Sequence, residues 1–386
     1  MLERATALDA EVVELRRTIH RQPELGFQEF KTAALVSATL QSLGIRVRTG
    51  VGKTGVIGYL GDRGPTVAIR ADMDALPIEE LNDVPYRSEV PGVMHACGHD
   101  AHVAILLGVA MLLSDARLPG QVRFLFQPSE ESQNEEGKSG AALLVDEGAM
   151  EGVDAVIALH VHDEVDTGLI KISPGPICAA VDVFDAAIRG DGCHGAYPHL
   201  GLDPVFLVGQ VISSVHGIVS RRIDPTKTAV ISIGAIHGGT TFNVIPSEVQ
   251  LKGTIRTFEE DVRERVHLEL ERALGVAKTL GGDYSVAIKG WIPALVNDQS
   301  VSEMIRQVGI DLLGGDSVLP FEREMGGEDF ALLAREAPGA LFGLGVRKGE
   351  TRQAHSPHFD IDERALHLGV AMLTETAKRM LSKLAG

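Results

Sequence analysis

The chain has 386 residues, of which 44% are hydrophobic and 23% charged, a composition typical of a globular protein with two or three domains. Its formal net charge of -17 at pH 7 argues against nucleic acid or an anionic membrane surface as a partner, since both would repel it. Three cysteines are too few for a disulfide scaffold, and the N-terminus shows no secretion signal, so we expect a reducing, cytoplasmic location.

The first 180 residues alternate between two hydrophobic patterns. Helical spacing predicts helices at 11–21, 32–43, 101–113 and 140–147. Short apolar or β-branched runs predict strands at 56–60, 66–70, 122–126 and 155–159. The first two of these strands flank a Gly- and Pro-containing turn and are predicted to form a hairpin. The alternation as a whole indicates an α/β fold with a mostly parallel, helix-flanked sheet.

Polar residues with catalytic or ligand chemistry follow three of the predicted strands. These residues are Asp72 and Asp74, then Glu130 and Glu131, then His160 and His162. An isolated Glu-Glu pair is ordinarily found in a solvated loop, which is the alternative here. His162 is expected to lie in an exposed loop. Because parallel strands end at one edge of a sheet, the convergence of three such ends predicts a site there.

The stretch 94–102, M-H-A-C-G-H-D-A-H, lies directly before a buried helix. Asp100 is predicted to cap that helix, and Gly98 allows a tight turn before it. Cys97 and His99 would supply half of a coordination shell for a borderline-soft divalent metal. For an isolated Cys-x-His, an inert cysteine beside core histidines is the alternative, so further ligands must come from elsewhere.

A different pattern occupies residues 181–293. Its order is strand 181–189, helix 204–221, strands 228–236 and 248–257, helix 259–280 and strand 284–290. This βαββαβ order is that of a ferredoxin-like unit, which predicts a domain inserted into the first one. Residues 1–180 and 294–386 would then form one discontinuous domain, whose last part holds a helix at 300–313, a strand at 340–346 and a helix at 363–384.

Seven motifs occur in the order found in one known family. They are R-A-D-M-D-A-L-P (70–77), M-H-A-C-G-H-D-A-H (94–102), Q-P-S-E-E (127–131), A-L-H-V (158–161), G-G-T-T-F-N-V-I-P (238–246), G-G-E-D-F (326–330) and H-S-P-H-F (355–359). The set resembles the dinuclear metal-dependent amidohydrolases of the aminoacylase and carboxypeptidase family, in the branch of hippurate hydrolase and the auxin-conjugate hydrolases. The resemblance implies a metallopeptidase-like catalytic domain, interrupted by an inserted lid or dimerisation domain.

The resemblance also implies roles for individual residues. Metal ligands are expected at Cys97, His99, Glu131, His160 and His355, with Cys97 bridging two divalent ions per subunit, which could be Zn, Mn, Co or Ni. Glu130 would be the general base. The implied reaction is hydrolysis of the amide bond of an N-acyl amino acid or a short peptide.

Further roles follow from the same resemblance. His194, from the lid of a neighbouring subunit of a homodimer or homotetramer, would stabilise the developing oxyanion, and Asn243 would help to hold the substrate. Arg256 is a candidate for binding a substrate carboxylate, although an arginine at a strand end is often an ordinary surface residue. Glu328 is a second candidate for substrate binding. Asp74 would orient a ligand imidazole, and Asp72, Asp100 and His102 could belong to the same surrounding shell.

Other functions stay open at this point. A magnesium-dependent phosphatase could use Asp72 and Asp74, but it would leave the cysteine and histidines without a role. A cysteine hydrolase would use Cys97 as nucleophile, and a catalytically inactive binding protein could keep the fold. The sequence departs from the family pattern at three places, which are His162, Gly195 and the acidic stretch 132–138. These departures put the identity of the substrate in doubt but not the type of reaction.

Overall fold

A computed structural model describes residues 1–386. The strands are β1 (Arg46–Val51), β2 (Gly55–Leu60), β3 (Thr66–Asp72), β4 (Gln121–Gln127), β5 (Ala155–Asp166), β6 (Ile170–Lys171), β7 (Gly175–Cys178), β8 (Ala180–Arg189), β9 (Cys193–His194), β10 (Ala229–Gly238), β11 (Val244–Ile245), β12 (Glu248–Thr257), β13 (Asp283–Ile292), β14 (Leu295–Asn297), β15 (Val318–Leu319) and β16 (Gly339–Arg347). The helices are α1 (Leu2–Thr6), α2 (Asp9–Arg21), α3 (Phe30–Ser42), α4 (His99–Ser114), α5 (Gly140–Asp146), α6 (Pro204–Arg222), α7 (Glu260–Leu274), α8 (Val276–Thr279), α9 (Gln299–Leu313), α10 (Phe330–Glu336) and α11 (Leu366–Leu384).

The chain divides into two compact units. The first consists of Met1–Ile177, Leu295–Glu322 and Asp329–Gly386, and the second of Cys178–Ala294 together with Arg323–Glu328. The short segment Arg323–Glu328 therefore clusters with the second unit, although it lies far from the rest of that unit in sequence. No helix combines the length and apolar composition that a membrane crossing needs.

The first unit is built on an eight-stranded mixed sheet with the order β1-β2-β4-β3-β5-β16-β6-β15. The pairs β3–β4, β3–β5, β5–β16 and β6–β15 are parallel, whereas β1–β2, β2–β4 and β16–β6 are antiparallel. The fold is thus the expected α/β class, with the parallel strands at the centre of the sheet. Strands buried on both faces, such as β16, read as continuous apolar runs for this reason.

The predicted hairpin of the strands at 56–60 and 66–70 is wrong. Strand β4 lies between β2 and β3, antiparallel to the first and parallel to the second. The turn after β2 crosses the start of β4, where the carbonyl of Pro65 accepts a hydrogen bond from the N–H of Gln121 (2.7 Å). The hairpin partner of β2 is β1, whose mostly exposed residues gave no clear strand pattern.

Helix α4 is buried on nearly every side and packs against strands β3 and β5 at the centre of the sheet. It begins two residues earlier than predicted, and its N-cap is Gly98 in the left-handed region (φ 82°). Asp100 is therefore not a cap. Its buried carboxylate instead pairs with the guanidinium of Arg16 and the ring of His20, at 2.7 Å each.

Strand β5 is longer than predicted because its pairing with β16 continues past Leu159. His160 and His162 consequently lie within the strand rather than after it. His162 is only 8% exposed, so the expectation of an exposed loop histidine is wrong. The neighbouring order β4-β3-β5 places side by side the ends of β3 and β4 and the part of β5 that carries His160 and His162.

The second unit contains a four-stranded antiparallel sheet with the order β10-β12-β8-β13, which together with α6 and α7 is the expected βαββαβ arrangement. Leu207, Val211, Val266 and Leu270 of the two helices form one apolar core with the sheet. The single helix predicted at 259–280 is interrupted at Gly275, where α7 ends and the short α8 begins.

Candidate active site

Cys97 and His160 meet although they are 63 positions apart in sequence. The Sγ atom of Cys97 lies 3.5 Å from Nε2 of His160. The other ring nitrogen of His160, Nδ1, lies 2.8 Å from the backbone carbonyl of Val161 and donates to it. Because that bond places the proton on Nδ1, the lone pair of Nε2 faces the thiol. Burial lowers the pKa of His160, which also favours the neutral ring.

His99 is held in the same way by a carboxylate. Its Nδ1 lies 3.2 Å from Oδ1 of Asp74, and its buried Nε2 has no hydrogen-bond partner. The second oxygen of Asp74 accepts the backbone N–H of Glu131 at 3.0 Å. Asp74 therefore fixes both a ring and the backbone of a carboxylate residue, which is the orienting role that the sequence suggested for it.

Glu131 and His355 pair with each other close to the thiol of Cys97. Oε1 of Glu131 lies 2.9 Å from Nε2 of His355, whose backbone adopts the left-handed region (φ 63°). The backbone N–H of His355 donates to the carbonyl of Ala96 (2.8 Å), the residue before Cys97. Burial opposes the ionisation of Glu131, but the hydrogen bond to His355 lowers its pKa. The same bond raises the pKa of His355.

The possible ligand atoms form overlapping groups. Those of Cys97, His99 and His160 lie within 4.8 Å of one another, and the same holds for Cys97, Glu131 and His355. A third such group joins His99, Glu131 and Glu130, whose Oε1 lies 3.4 Å from the backbone N–H of Asp329. Cys97 is thus shared by two three-residue groups, as a bridging ligand would be.

The residues fit a pair of divalent cations. Burial, together with the carboxylates of Glu131 and Glu130, raises the pKa of the Cys97 thiol, so a thiolate at this position requires added positive charge. The buried Nε2 of His99 has no hydrogen-bond partner and lies 3.7 Å from Oδ2 of Asp72, so this nitrogen is available to a metal ion. Thiolate, imidazole and carboxylate together form a donor set typical of zinc and other first-row transition metals.

A buried polar network lies behind these groups. Asp72 accepts a hydrogen bond from Nδ1 of His102 (2.6 Å), and Nε2 of His102 in turn accepts the N–H of Val161 (3.0 Å). The guanidinium of Arg70 binds Asp72 (2.7 Å) and Asp329 (2.9 Å). Of the shell residues suggested by the sequence, Asp72 and His102 therefore lie next to the site. Arg70 and Asp329 lie within two of the seven motifs, but the sequence pattern assigned no role to either of them.

The remaining predicted residues belong to the second unit. His194 and Asn243 lie together because β9 pairs with β11, with His194 opposite Val244, and because Gly195 N–H donates to the carbonyl of Asn243 (2.9 Å). Both side chains are exposed. Arg256 is partly buried and points its NH1 at the carbonyl of Met325 (3.5 Å), and burial lowers its pKa. Glu328 is 5% exposed.

The sequence also matches a known protein family. The sequence profile of peptidase family M20/M25/M40 matches residues 68–379, which is most of the chain. The chain belongs to the M20 peptidase family. As a member of that family it is an amidohydrolase-type enzyme of the aminoacylase and carboxypeptidase kind.

Three relatives show how far the likeness of this M20 enzyme extends. It is 40% identical to thermostable carboxypeptidase 2 of Saccharolobus solfataricus over 371 residues, covering 93% of this chain and 92% of that one. It is 38% identical to N-acetyl-L-cysteine deacetylase of Bacillus subtilis over 384 residues, covering 97% and 89% of the two chains. The crystal structure of the Bacillus subtilis YXEP protein, described as a dinuclear metal-binding peptidase of the M20 family, matches with a TM-score of 0.85 at 35% identity, covering 98% and 99%.

Proposed function

We propose that this M20 enzyme hydrolyses the amide bond of N-acyl amino acids or short peptides, using two divalent metal ions per subunit. The observation that carries the proposal is the sharing of Cys97 by two groups of possible ligands, with Glu130 beside them. The names of the similar proteins, a carboxypeptidase and an N-acetyl-L-cysteine deacetylase, support the substrate class. The dinuclear metal site named for the YXEP protein supports the number of ions.

Cys97, His99 and His160 would hold one ion, and Cys97, Glu131 and His355 would hold the other. Zinc suits a thiolate and imidazole shell, and manganese, cobalt or nickel suit the same donors. His99 and His160 each have their second ring nitrogen engaged by an acceptor, so each offers Nε2 to the ion without a change of tautomer. The ion pair of Glu131 and His355 would open so that both side chains coordinate the second ion.

The chemistry then divides between the ions and the protein. The bound ions supply positive charge that lowers the pKa of water toward about 7 and polarises the amide carbonyl. Glu130 takes a proton from the attacking water and passes it to the leaving nitrogen, which departs as a free amine. The new C–O bond forms first and the scissile C–N bond then breaks, giving a carboxylic acid and an amine. The acid then gives up its remaining proton, to the amine or to solvent, and becomes a carboxylate.

The second unit supplies the remaining groups in this proposal. His194 donates a hydrogen bond to the carbonyl oxygen as negative charge develops on it, acting from the lid of a neighbouring subunit in a homodimer or homotetramer. Asn243 holds the substrate, and Arg256 binds its carboxylate bidentately. Glu328 also contacts substrate. The second unit, predicted as 181–293, is the lid and dimerisation domain in this proposal, and the rest of the chain is the catalytic domain.

The test is the replacement of Glu130 by Gln. Since Gln has nearly the same shape but cannot accept a proton, we expect kcat on an N-acyl amino acid to fall by about 10²–10⁴-fold. Metal content by elemental analysis should stay at the wild-type value. Glu303→Gln is the matched control, because Glu303 forms only an exposed ion pair with Arg306 on α9.

Two results would contradict the proposal. Retained activity in Glu130→Gln would show that another group is the base. If metal-loaded wild-type protein hydrolysed none of a panel of N-acetyl, N-benzoyl and indole-acyl amino acids and dipeptides, the alternative of a catalytically inactive binding protein would replace this function.

A further inference from the structure

Glu29 immediately precedes helix α3, in the N-cap position, but its side chain does not cap that helix. The N–H groups of Lys31 and Thr32, in the first turn of the helix, donate instead to the carboxylate of Glu24, at 2.9–3.0 Å. An N-cap side chain usually accepts these bonds itself. Because Glu24 satisfies them, the carboxylate of Glu29 is available for another partner.

That partner is the turn that carries Glu130. Glu29 is fully buried, and its Oε1 accepts the backbone N–H of Ser129 at 2.8 Å. The hydroxyl of Thr54 donates to its other oxygen, Oε2. Burial, with the nearby carboxylate of Asp74, raises the pKa of Glu29 to about 7. A buried carboxyl group 100 positions away in sequence thus binds the backbone N–H of Ser129 and the hydroxyl of Thr54.

Ser129 adopts the left-handed region (φ 43°), which is unfavourable for a residue other than glycine. Its carbonyl accepts the N–H of Gly140 (2.9 Å), so both of its backbone groups are engaged. Two residues later, the N–H of Glu131 is bound by Asp74. Glu130 therefore lies between two backbone N–H groups that are each bound by a buried carboxylate.

The loop before Glu29 also packs closely on this turn. A Cβ atom added at Gly26 would lie 2.5 Å from Oγ of Ser129 and 2.6 Å from Oγ of Ser132. The same loop supports the strand end that carries Asp74, since the N–H of Ala75 donates to the carbonyl of Glu24 (2.8 Å). One loop thus contacts both segments that position the proposed base.

We infer that Glu29 is a positioning residue for Glu130: it holds Ser129 in its strained conformation and thereby fixes where the carboxylate of Glu130 points. The inference rests on the proposed function for its kinetic consequence. Glu29 does not touch the reacting atoms, and a displacement of about 1 Å at a catalytic group can lower a rate by about 100-fold.

The experiment compares Glu29→Ala with Glu29→Gln. Ala removes the acceptor for Ser129 N–H, so we expect kcat to fall by at least about 10-fold, with KM and metal content near wild type. Gln keeps a carbonyl oxygen for Ser129 and an amide that can donate to Thr54, so we expect kcat within about 3-fold of wild type. Asp298→Ala is the control, because Asp298 also binds backbone N–H groups, those of Ser300 and Val301 at the start of α9. It should lower Tm and leave kcat unchanged.

A crystal structure of Glu29→Ala tests the inference without any substrate. We expect Ser129 to leave the left-handed region and the carboxylate of Glu130 to move. If Glu29→Ala does not fold, Thr54→Val is measured in its place, because it removes only the donor to Oε2 of Glu29. We expect its kcat to fall by less than the roughly 10-fold expected for Glu29→Ala, and an unchanged kcat would contradict the inference. Unchanged kcat and an unmoved Glu130 in Glu29→Ala would overturn the inference, as would a Gln variant as inactive as the Ala variant. Failure of wild-type protein to hydrolyse any substrate would contradict the proposed function instead, and the crystal structure would still decide the role of Glu29.

Discussion

His99 and His160 show how single residues prepare the candidate metal centre. Each ring has one nitrogen engaged by an oxygen acceptor, the carboxylate of Asp74 or the carbonyl of Val161. Each therefore presents the other nitrogen to the site with its tautomer already set. The free energy of ion binding then does not have to include rotation of the rings.

Asp74→Asn tests this preparation. Asp74 accepts two hydrogen bonds, from the ring of His99 and the N–H of Glu131, whereas an Asn side chain has only one acceptor oxygen. We expect the affinity for the divalent ion to fall by about 10–100-fold, measured by titration against a competing chelator. Asp154→Asn is a suitable control, because Asp154 binds only the N–H of Thr66 outside the site (2.8 Å). Equal affinities in the two variants would show that Asp74 does not orient the ligands.

The residue scale also shows the limits of a sequence pattern. Cys97, His99, Glu131, His160 and His355 could be named because each lies in a short motif. Ser129, by contrast, is an ordinary serine in sequence, and nothing local indicates that its N–H needs Glu29. Partners that are about 100 positions apart leave no periodic signal, so the structure alone identifies them.

At the scale of elements, the turn before α4 positions two of the proposed ligands at once. Gly98 has a positive φ of 82°, and a Cβ atom there would overlap the side chain of Val161 on strand β5. The turn can therefore approach β5 closely only with glycine at this position. This close approach is what brings Cys97 to within 3.5 Å of His160.

Gly98→Ala should accordingly lower the free energy of unfolding by more than the unfavourable φ alone explains. We expect a loss of about 2–5 kcal/mol, measured by urea denaturation, from backbone strain plus overpacking against Val161. Gly92→Ala is the matched control: Gly92 has a similar φ of 74° but open space around it, so its loss should be only about 1–2 kcal/mol. Equal losses in the two variants would mean that β5 shifts to make room for the added methyl group at no cost in free energy.

Prediction from sequence was better for single elements than for their pairing. Apart from the C-terminal end of β5, the central helices and strands were found within a few residues of their ends, because burial on one or both faces imposes a clear apolar pattern. The hairpin prediction failed because short strands joined by a short turn usually pair, whereas here β4 inserts between β2 and β3. The hairpin can be excluded only from the pairing of β4, which comes later in the chain than β2 and β3.

At the scale of the whole molecule, the metal centre joins distant parts of the first unit. The proposed ligands come from α4 and the turn before it, the turn after β4, the strand β5 and the loop before α11. Two ions that share Cys97 would together cross-link segments from residue 97 to residue 355. Since an unfolded chain offers no such shell, ion binding should stabilise the fold.

Chelation should therefore lower both activity and thermal stability. With free ion at 100 times its Kd, binding contributes about 2.7 kcal/mol to the stability of the folded state, so apoprotein should melt several degrees lower in a thermal scan. Adding back Zn²⁺, Mn²⁺, Co²⁺ or Ni²⁺ should restore activity and Tm. In Cys97→Ala, which removes the shared ligand, the added ion should shift Tm much less. Full activity after exhaustive chelation would favour the cysteine hydrolase alternative.

The sequence by itself determined the class of fold, the βαββαβ unit and the family, and it predicted the candidate site at Cys97, His99, Glu130, Glu131, His160 and His355. It could do so because burial patterns and short motifs are local properties of the chain. Only the tertiary structure decided the strand order, the ring nitrogens that face the site, the shell of Arg70 and Asp329, and the contact of Glu29 with Ser129. Each of these depends on hydrogen bonds between residues far apart in sequence, whose partners are selected by packing and not by local propensity.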